Sequence, residues 1–220
     1  MNNNNFIYLL AALLILLFGI PLAQDLSVAS APLIRSLMFS LLLVVGIWSL
    51  KDGGRFFTIG MAFVIAGLVL NLLAASIDSQ PLFYGSIAAI VGFLLIAIVF
   101  TLRQVVFGTE MTFNRLVGAV CVYLLLGTIW AFTYSLVDAL SPGSFTGISP
   151  QEGRGWDSDW LYFSFVTMTT LGYGDISPVS ASARVLAYMQ AVFGQFYVAI
   201  LVAGLVSGYI STRQTERNGS

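Results

Sequence analysis

Of the chain's 220 residues, 58% are hydrophobic and only 9% are charged, with a formal net charge of −1, no His and a single Cys, Cys121. Soluble domains carry about 25% charged residues, so a chain this poor in charge cannot coat a globule with a solvated surface and belongs in lipid. Without a basic excess there is no footprint for nucleic acid, and one Cys in an apolar run with no His excludes a disulfide framework, a zinc site and a Cys–His nucleophile.

A membrane-spanning helix needs roughly 17–25 mostly apolar residues. The first qualifying run covers 6–23. Pro21-Leu22-Ala23 resembles a small-residue cleavage site, but Met1–Asn5 carries no positive side chain and the apolar run is long, so a retained helix is expected. Further runs follow at 33–50, 56–77, 82–102, 117–140 and 184–210, separated by the short polar links Ala23–Pro32, Lys51–Arg55, Asp78–Pro81 and Arg103–Arg115. The link 141–183 is longer. It opens on the Gly-, Ser- and Pro-rich Ser141–Gly155, continues as an amphipathic run, Asp157–Thr169, and ends in a Gly-Tyr-Gly segment. With both termini cytoplasmic, Lys51, Arg55, Arg103, Arg115, Arg213 and Arg217 lie inside and Arg35, Arg154 and Arg184 outside. The positive-inside rule favours that orientation. The 141–183 link then enters from the outer side.

Residues Thr170-Leu171-Gly172-Tyr173-Gly174-Asp175 carry the chemistry. A potassium ion leaving water must exchange its hydration shell for oxygens. Successive backbone carbonyls can supply them if they face one axis, which demands alternating backbone conformations. Gly172 and Gly174 permit that alternation because they lack a side chain. Thr170 can add a hydroxyl at the inner end, while Leu171 and Tyr173 point away from the axis and pack behind it. Irregular backbone at membrane depth is tolerated only where it is buried or lines a cavity, which fits a re-entrant loop. Asp157–Thr169 suits a short pore helix, with Asp157, Ser158 or Asp159 as its N-cap. Its C-terminal end turns partial negative charge toward a cation.

These residues resemble the filter of the tetrameric potassium channels, Thr-Val-Gly-Tyr-Gly-Asp, with Leu171 in place of Val. The resemblance continues through Arg184-Val185-Leu186 and Gly194–Ala203, which look like the inner helix of small bacterial members. It implies an all-α membrane protein of six transmembrane helices, with a re-entrant pore helix and selectivity filter between helices five and six. It implies potassium bound at Thr170, Leu171, Gly172 and Tyr173, the filter closing at Gly174 and Asp175, and no organic cofactor. Gly194 lies where many members keep a hinge glycine; close helix packing is the alternative. Many members place Trp at Phe163 and Glu at Val166 to hydrogen-bond the Asp after the filter. Neither Phe nor Val can do so, which leaves Asp175 to find other partners. Thr167 is available to the Tyr173 hydroxyl, and Thr169 and Tyr162 complete the candidate filter support.

The implied organisation is a four-helix membrane domain over 1–102, a linker over 103–116, a pore domain over 117–210 and a short cytoplasmic tail over 211–220. The implied assembly is a homotetramer in the plasma membrane, contacting lipid and no nucleic acid. Six helices resemble the voltage-gated-like architecture, yet the fourth, Leu82–Leu102, carries no charge, and helices two and three hold no acid, only Asn71 as a strongly polar group. Steep voltage dependence is therefore not expected. The other readings are a weakly selective cation channel, a membrane enzyme, an auxiliary protein with a vestigial pore motif, and a transporter of four fused pore repeats. The Tyr-Gly pair is intact, no nucleophile–base or paired-acid set lies within the spans, and only one pore segment is present.

Overall fold

In hydrocarbon every backbone amide must be satisfied within its own segment, and a helix does this without neighbours. The computed structural model describes residues 5–25, 43–48, 54–77, 79–107, 113–148 and 158–218. They form α1 (Asn5–Asp25), a short helical stretch α2 (43–48), α3 (Arg55–Ile77), α4 (Gln80–Phe107), α5 (Phe113–Leu140), α6 (Ser158–Met168) and α7 (Ala181–Asn218). Among the described residues, four helices are long and apolar enough to cross a membrane: Arg55–Ala74, Tyr84–Val105, Phe113–Leu140 and Ala181–Gly204. The apolar part of α1, Phe6–Gly19, is shorter. The expected second span at 33–50 is described only over 43–48, and Arg35, Lys51, Asp78, Glu152, Arg154, Trp156 and Asp157 lie outside the described residues, as does the side chain of Asn71.

Helix ends depart from the sequence expectation in a consistent direction. Helix α4 runs on to Phe107 and α5 starts at Phe113, so most of the expected linker 103–116 is helical. Likewise α7 continues through the polar tail to Asn218. Hydropathy marks where a helix leaves lipid, not where its hydrogen-bond ladder stops, and Gln, Arg and Glu sustain a helix well in water.

Contacts fix the helix directions. Val105 of α4 meets Arg115 of α5, whose guanidinium donates to the Val105 carbonyl. At the other end the Tyr84 hydroxyl donates to the Ala139 carbonyl at 3.1 Å. Helices α4 and α5 are therefore an antiparallel pair tied at both ends. Helix α1 runs parallel to α5: the Cys121 thiol donates to the Phe6 carbonyl at 3.4 Å, while Leu17 and Pro21 reach α6. Helix α7 returns antiparallel to α5, its Tyr197 hydroxyl donating to the Ala119 carbonyl at 2.6 Å.

Lipid chains are as apolar as Leu, so helices associate through close packing rather than through escape from water. Here the packing repeatedly sets a phenylalanine ring over a glycine. A methyl group would lie 2.8 Å from the Phe93 ring at Gly46, 2.5 Å from Phe63 at Gly92, 3.0 Å from Phe6 at Gly118 and 2.4 Å from Phe165 at Gly127. The single charge of α4, Arg103, stacks over the Phe56 ring at 5.3 Å.

Gly127→Ala, which drives a methyl into the Phe165 ring, is expected to cost about 1–3 kcal/mol. A lowered midpoint in a thermal melt of the detergent-solubilised protein checks it; an unchanged midpoint means that α6 sits more loosely on α5.

Candidate functional site: the loop after the short helix

Helix α6 buries one face. Trp160, Leu161, Phe163, Ser164 and Met168 turn into the protein, a spacing that marks one side of a helix. An aromatic cluster receives them. Phe145 sits 5.1 Å from Trp160 and 5.4 Å from Phe163, and Tyr134 of α5 sits 4.8 Å from Phe163, all edge-on. Phe145 belongs to an element the all-helical expectation did not include, a two-residue strand β1 (Phe145–Thr146) antiparallel to β2 (Ser177–Pro178).

The end of α6 builds the site. Thr170 stands at φ 59°, in the left-handed region, and its amide donates to the Thr167 carbonyl at 3.0 Å while the Leu171 amide donates to the Val166 carbonyl at 2.9 Å. Those two bonds form a Schellman cap, whose left-handed residue is usually Gly. A β-branched residue there is a genuine outlier, costing roughly 1–2 kcal/mol. Beyond it Gly172 at φ 59° and Gly174 at φ 82° repeat the left-handed conformation at every second residue. This is the alternation that successive carbonyls on one side require. The Gly172 amide also reaches the Val166 carbonyl, at 3.3 Å. Within one chain nothing lies within 4 Å of a methyl group placed on Gly172 or Gly174, so backbone conformation, not crowding, calls for glycine there.

Side chains around the loop divide into back and mouth. Leu171 shares an open groove of about 520 Å³ with Leu17, Pro21, Leu161, Phe165 and Val166, so it lies on the side of the loop that α6 and α1 flank. Thr169 donates its hydroxyl to the Phe165 carbonyl at 2.7 Å and so closes the last turn of α6. Thr167 contributes through its carbonyl, and the Tyr173 ring is 68% exposed. At the mouth Tyr162 donates to the Asp175 carboxylate at 2.6 Å. Tyr162 thus fills the role that Phe163 and Val166 cannot. Its hydrogen bond holds the Asp175 carboxyl below the usual carboxylate range, and the same bond pushes the Tyr162 phenol up to about 12.

Two residues that position this loop escaped the sequence reading. Gly147 stands at φ +84°, and a methyl group on it would lie 1.9 Å from the Asp175 carbonyl oxygen. Only glycine allows the outer loop this close to the backbone after the filter motif. Gln190 of α7 is fully buried between α5 and α6. Its amide nitrogen donates to the Ser164 carbonyl at 3.0 Å and to the Ser164 hydroxyl at 2.7 Å, and its oxygen accepts from Tyr134 at 2.5 Å. Ser164 in turn donates to the Gly127 carbonyl at 2.6 Å. A lone amide inside an apolar run is the sequence signal that could have found it. Gly194, one turn further along α7, faces the last turn of α6: a methyl there would lie 2.6 Å from the Met168 carbonyl oxygen. Close packing, the alternative to the hinge, gives a sufficient reason for glycine at that position.

In Tyr162→Phe the Asp175 carboxyl loses its donor and its titration is expected to move up toward the ordinary range near 4. The lowered folded value means that the bond stabilises the protein at neutral pH and that this contribution fades as pH falls through that value. Carboxyl-carbon NMR of labelled Asp checks the shift; an unmoved titration leaves the bond without electrostatic weight.

Residues 116–208 match the family model described as an ion channel. Over 74 residues, 33% of this chain and 18% of the relative, the chain is 50% identical to two pore potassium channel b of Oryza sativa subsp. japonica. Over 101 residues it is 37% identical to two pore potassium channel a of the same plant, covering 46% of this chain and 26% of the relative. It is 30% identical over 101 residues to a Shaker-related potassium channel of Oncorhynchus mykiss, covering 46% of this chain and 20% of that protein. The chain thus spans only a minor part of these relatives' lengths. No solved structure matches it. The family match falls on α5, α6, the loop and α7, so this region of an integral membrane protein is similar to ion-channel modules, those of potassium channels among the relatives, and not to an enzyme domain.

Proposed function

We propose that four copies of this chain form a potassium-selective channel, with the carbonyls of Thr170, Leu171, Gly172 and Tyr173 and the Thr170 hydroxyl replacing the ion's water. The observation that carries this reading is the left-handed backbone at Thr170, Gly172 and Gly174, suspended from the Val166 carbonyl. Strained backbone persists where a function needs it, and a hydroxyl at the inner end of the filter is such a need. Gly174 and Asp175 end the filter, with Tyr162, Thr167 and Thr169 supporting it. Potassium is the cargo; the reading needs no cofactor.

One segment supplies one strand of oxygens, and these 220 residues hold one such segment, so in this reading copies of the chain complete the ring. Exposure supports this. In the single chain Leu171 is 55%, Tyr173 68%, Phe196 63% and Ile200 71% exposed, apolar surface that neighbouring copies would cover. The fold class is then six spans with a re-entrant α6, in the plasma membrane with both termini cytoplasmic. The units are a four-helix membrane domain (1–102), a linker (103–116), a pore domain (117–210) and a tail (211–220), with lipid around them. Voltage acts weakly on this arrangement. Moving one charge across the bilayer is worth about 2.3 kcal/mol per 100 mV, and the only charge on α4, Arg103, is held near the helix end by Phe56.

Reconstituted protein in planar bilayers is expected to carry potassium in strong preference to sodium, with a shallow conductance–voltage curve. Gly172→Ala or Gly174→Ala is expected to abolish selective current. Either mutant keeping wild-type selectivity removes the filter assignment; a steep sigmoid with gating current overturns the assignment of α4.

Chemical cross-linking in mild detergent is expected to progress to a four-chain band. Saturation at two chains contradicts the ring of four.

A further inference from the structure

Resting on that reading, we propose that Gln190 is the positioning residue that holds the pore helix, and through it the filter backbone, in the conducting arrangement. The side chain is fully buried, and its hydrogen bonds admit one orientation. The Ser164 carbonyl can only accept, so the amide nitrogen must face it. The same nitrogen donates its second hydrogen to the Ser164 hydroxyl, which has given its own hydrogen to the Gly127 carbonyl. The amide oxygen is left for the Tyr134 hydroxyl. Three helices, α5, α6 and α7, are joined through one amide with all its donors used.

Ser164 stands two residues before Val166, whose carbonyl accepts the Leu171 and Gly172 amides. Whatever fixes α6 along its axis therefore fixes the start of the filter. Two of the contacts of α7 on α6 lie one helical turn apart: Gln190 on Ser164, and Gly194 against the Met168 carbonyl. The first is a directed bond and the second a close approach. Together they set both the rotation and the height of α6 on α7. Sliding by one residue breaks the first and closes the second into a clash. An inner helix that moves during gating must either carry α6 with it or bend beyond Gly194, toward the far end of α7.

The chemistry demands an amide. Leucine fills a similar volume with no donor, leaving the Ser164 hydroxyl and the Tyr134 hydroxyl each short of a partner. A glutamate carboxylate offers only acceptors and sets negative charge against the Ser164 carbonyl. Protonated, it regains one donor. Burial raises a carboxyl pKa toward neutrality. Among the described residues, the titratable group facing position 190 is the Tyr134 phenol from α5; α6 presents Ser164 there, while Tyr162 and Asp175 meet each other at the mouth. The Asp175 carboxyl titrates below the usual range and the Tyr162 phenol at about 12, so neither changes charge between about pH 5 and 9.

The test is single-channel recording of reconstituted wild type, Gln190→Leu and Gln190→Glu, each checked for assembly by size-exclusion chromatography and thermal melt. A buried donor lost to its partners is worth about tenfold or more in an equilibrium. Gln190→Leu is thus expected to assemble but to open roughly tenfold less often, with wild-type conductance restored in neither salt nor voltage. Gln190→Glu is expected to recover open probability as pH falls from about 9 to 5, over a window where wild type stays level. An assembled Gln190→Leu with wild-type open probability, or a Gln190→Glu whose activity does not change with pH, overturns the proposal. If Gln190→Leu fails to assemble, the pH response of Gln190→Glu decides alone. A wild type that conducts no potassium fails the channel reading instead, which separates the two.

Discussion

The amide of Gln190 sits where α5, α6 and α7 meet, and the geometry of that junction follows from satisfying it. An unpaired amide in such a place would cost several kcal/mol, so the sequence must bring to it an acceptor carbonyl, a hydroxyl that can still accept and a hydroxyl that can donate. The Ser164 carbonyl, the Ser164 hydroxyl, whose own hydrogen goes to the Gly127 carbonyl, and the Tyr134 hydroxyl supply these at 2.5–3.0 Å. Apolar contacts between membrane helices are nearly interchangeable with contacts to lipid and choose no register of their own. A directed, fully satisfied polar contact does choose one. The register it selects sets Met168 on Gly194 and Phe165 on Gly127, and it brings the end of α6 to the height from which the 170–175 loop hangs.

From that end the backbone leaves the helix by a strained step. The Schellman cap needs a left-handed residue, and threonine stands where glycine would cost least. The two glycines after it continue the same alternation without strain. A mouth structure then holds the far side of the strand: β1 pairs with β2, Gly147 lies against the Asp175 carbonyl, and Tyr162 holds the Asp175 carboxylate. The strand is thus anchored at both ends by groups outside it, as a chain without its own hydrogen-bond ladder must be.

Much of this was legible in the residues. The apolar runs located the described long helices, because period and hydropathy are properties of the segment itself. Gly172 and Gly174 announced their backbone, and Ser158–Met168 lay within the expected Asp157–Thr169. What could not be read depends on partners far along the chain. Tyr162 reaching Asp175 needs the rotation of α6. Gly147 is one of several glycines in a loop that looked merely polar until the Asp175 carbonyl is set against it. Gln190 is a single polar letter in an apolar run, and its worth resides in Ser164 and Tyr134, 26 and 56 residues away. The β1–β2 pair, two residues a side, is too short to leave a periodic trace.

The pairing of α4 with α5 also decides how force could travel. Only five residues separate Phe107 from Phe113, a span of roughly 20 Å at full extension, and both ends of the pair are tied by side chains bonded to backbone carbonyls. A lever acts at the tip of the element it moves and needs a free arm to do so. Helix α4 has no such arm. It lies along α5 as a splint, so that a tilt of α3 and α4 leans on the whole length of α5 at once, and on the Tyr134 and Gly127 that α5 lends to the junction with α6 and α7.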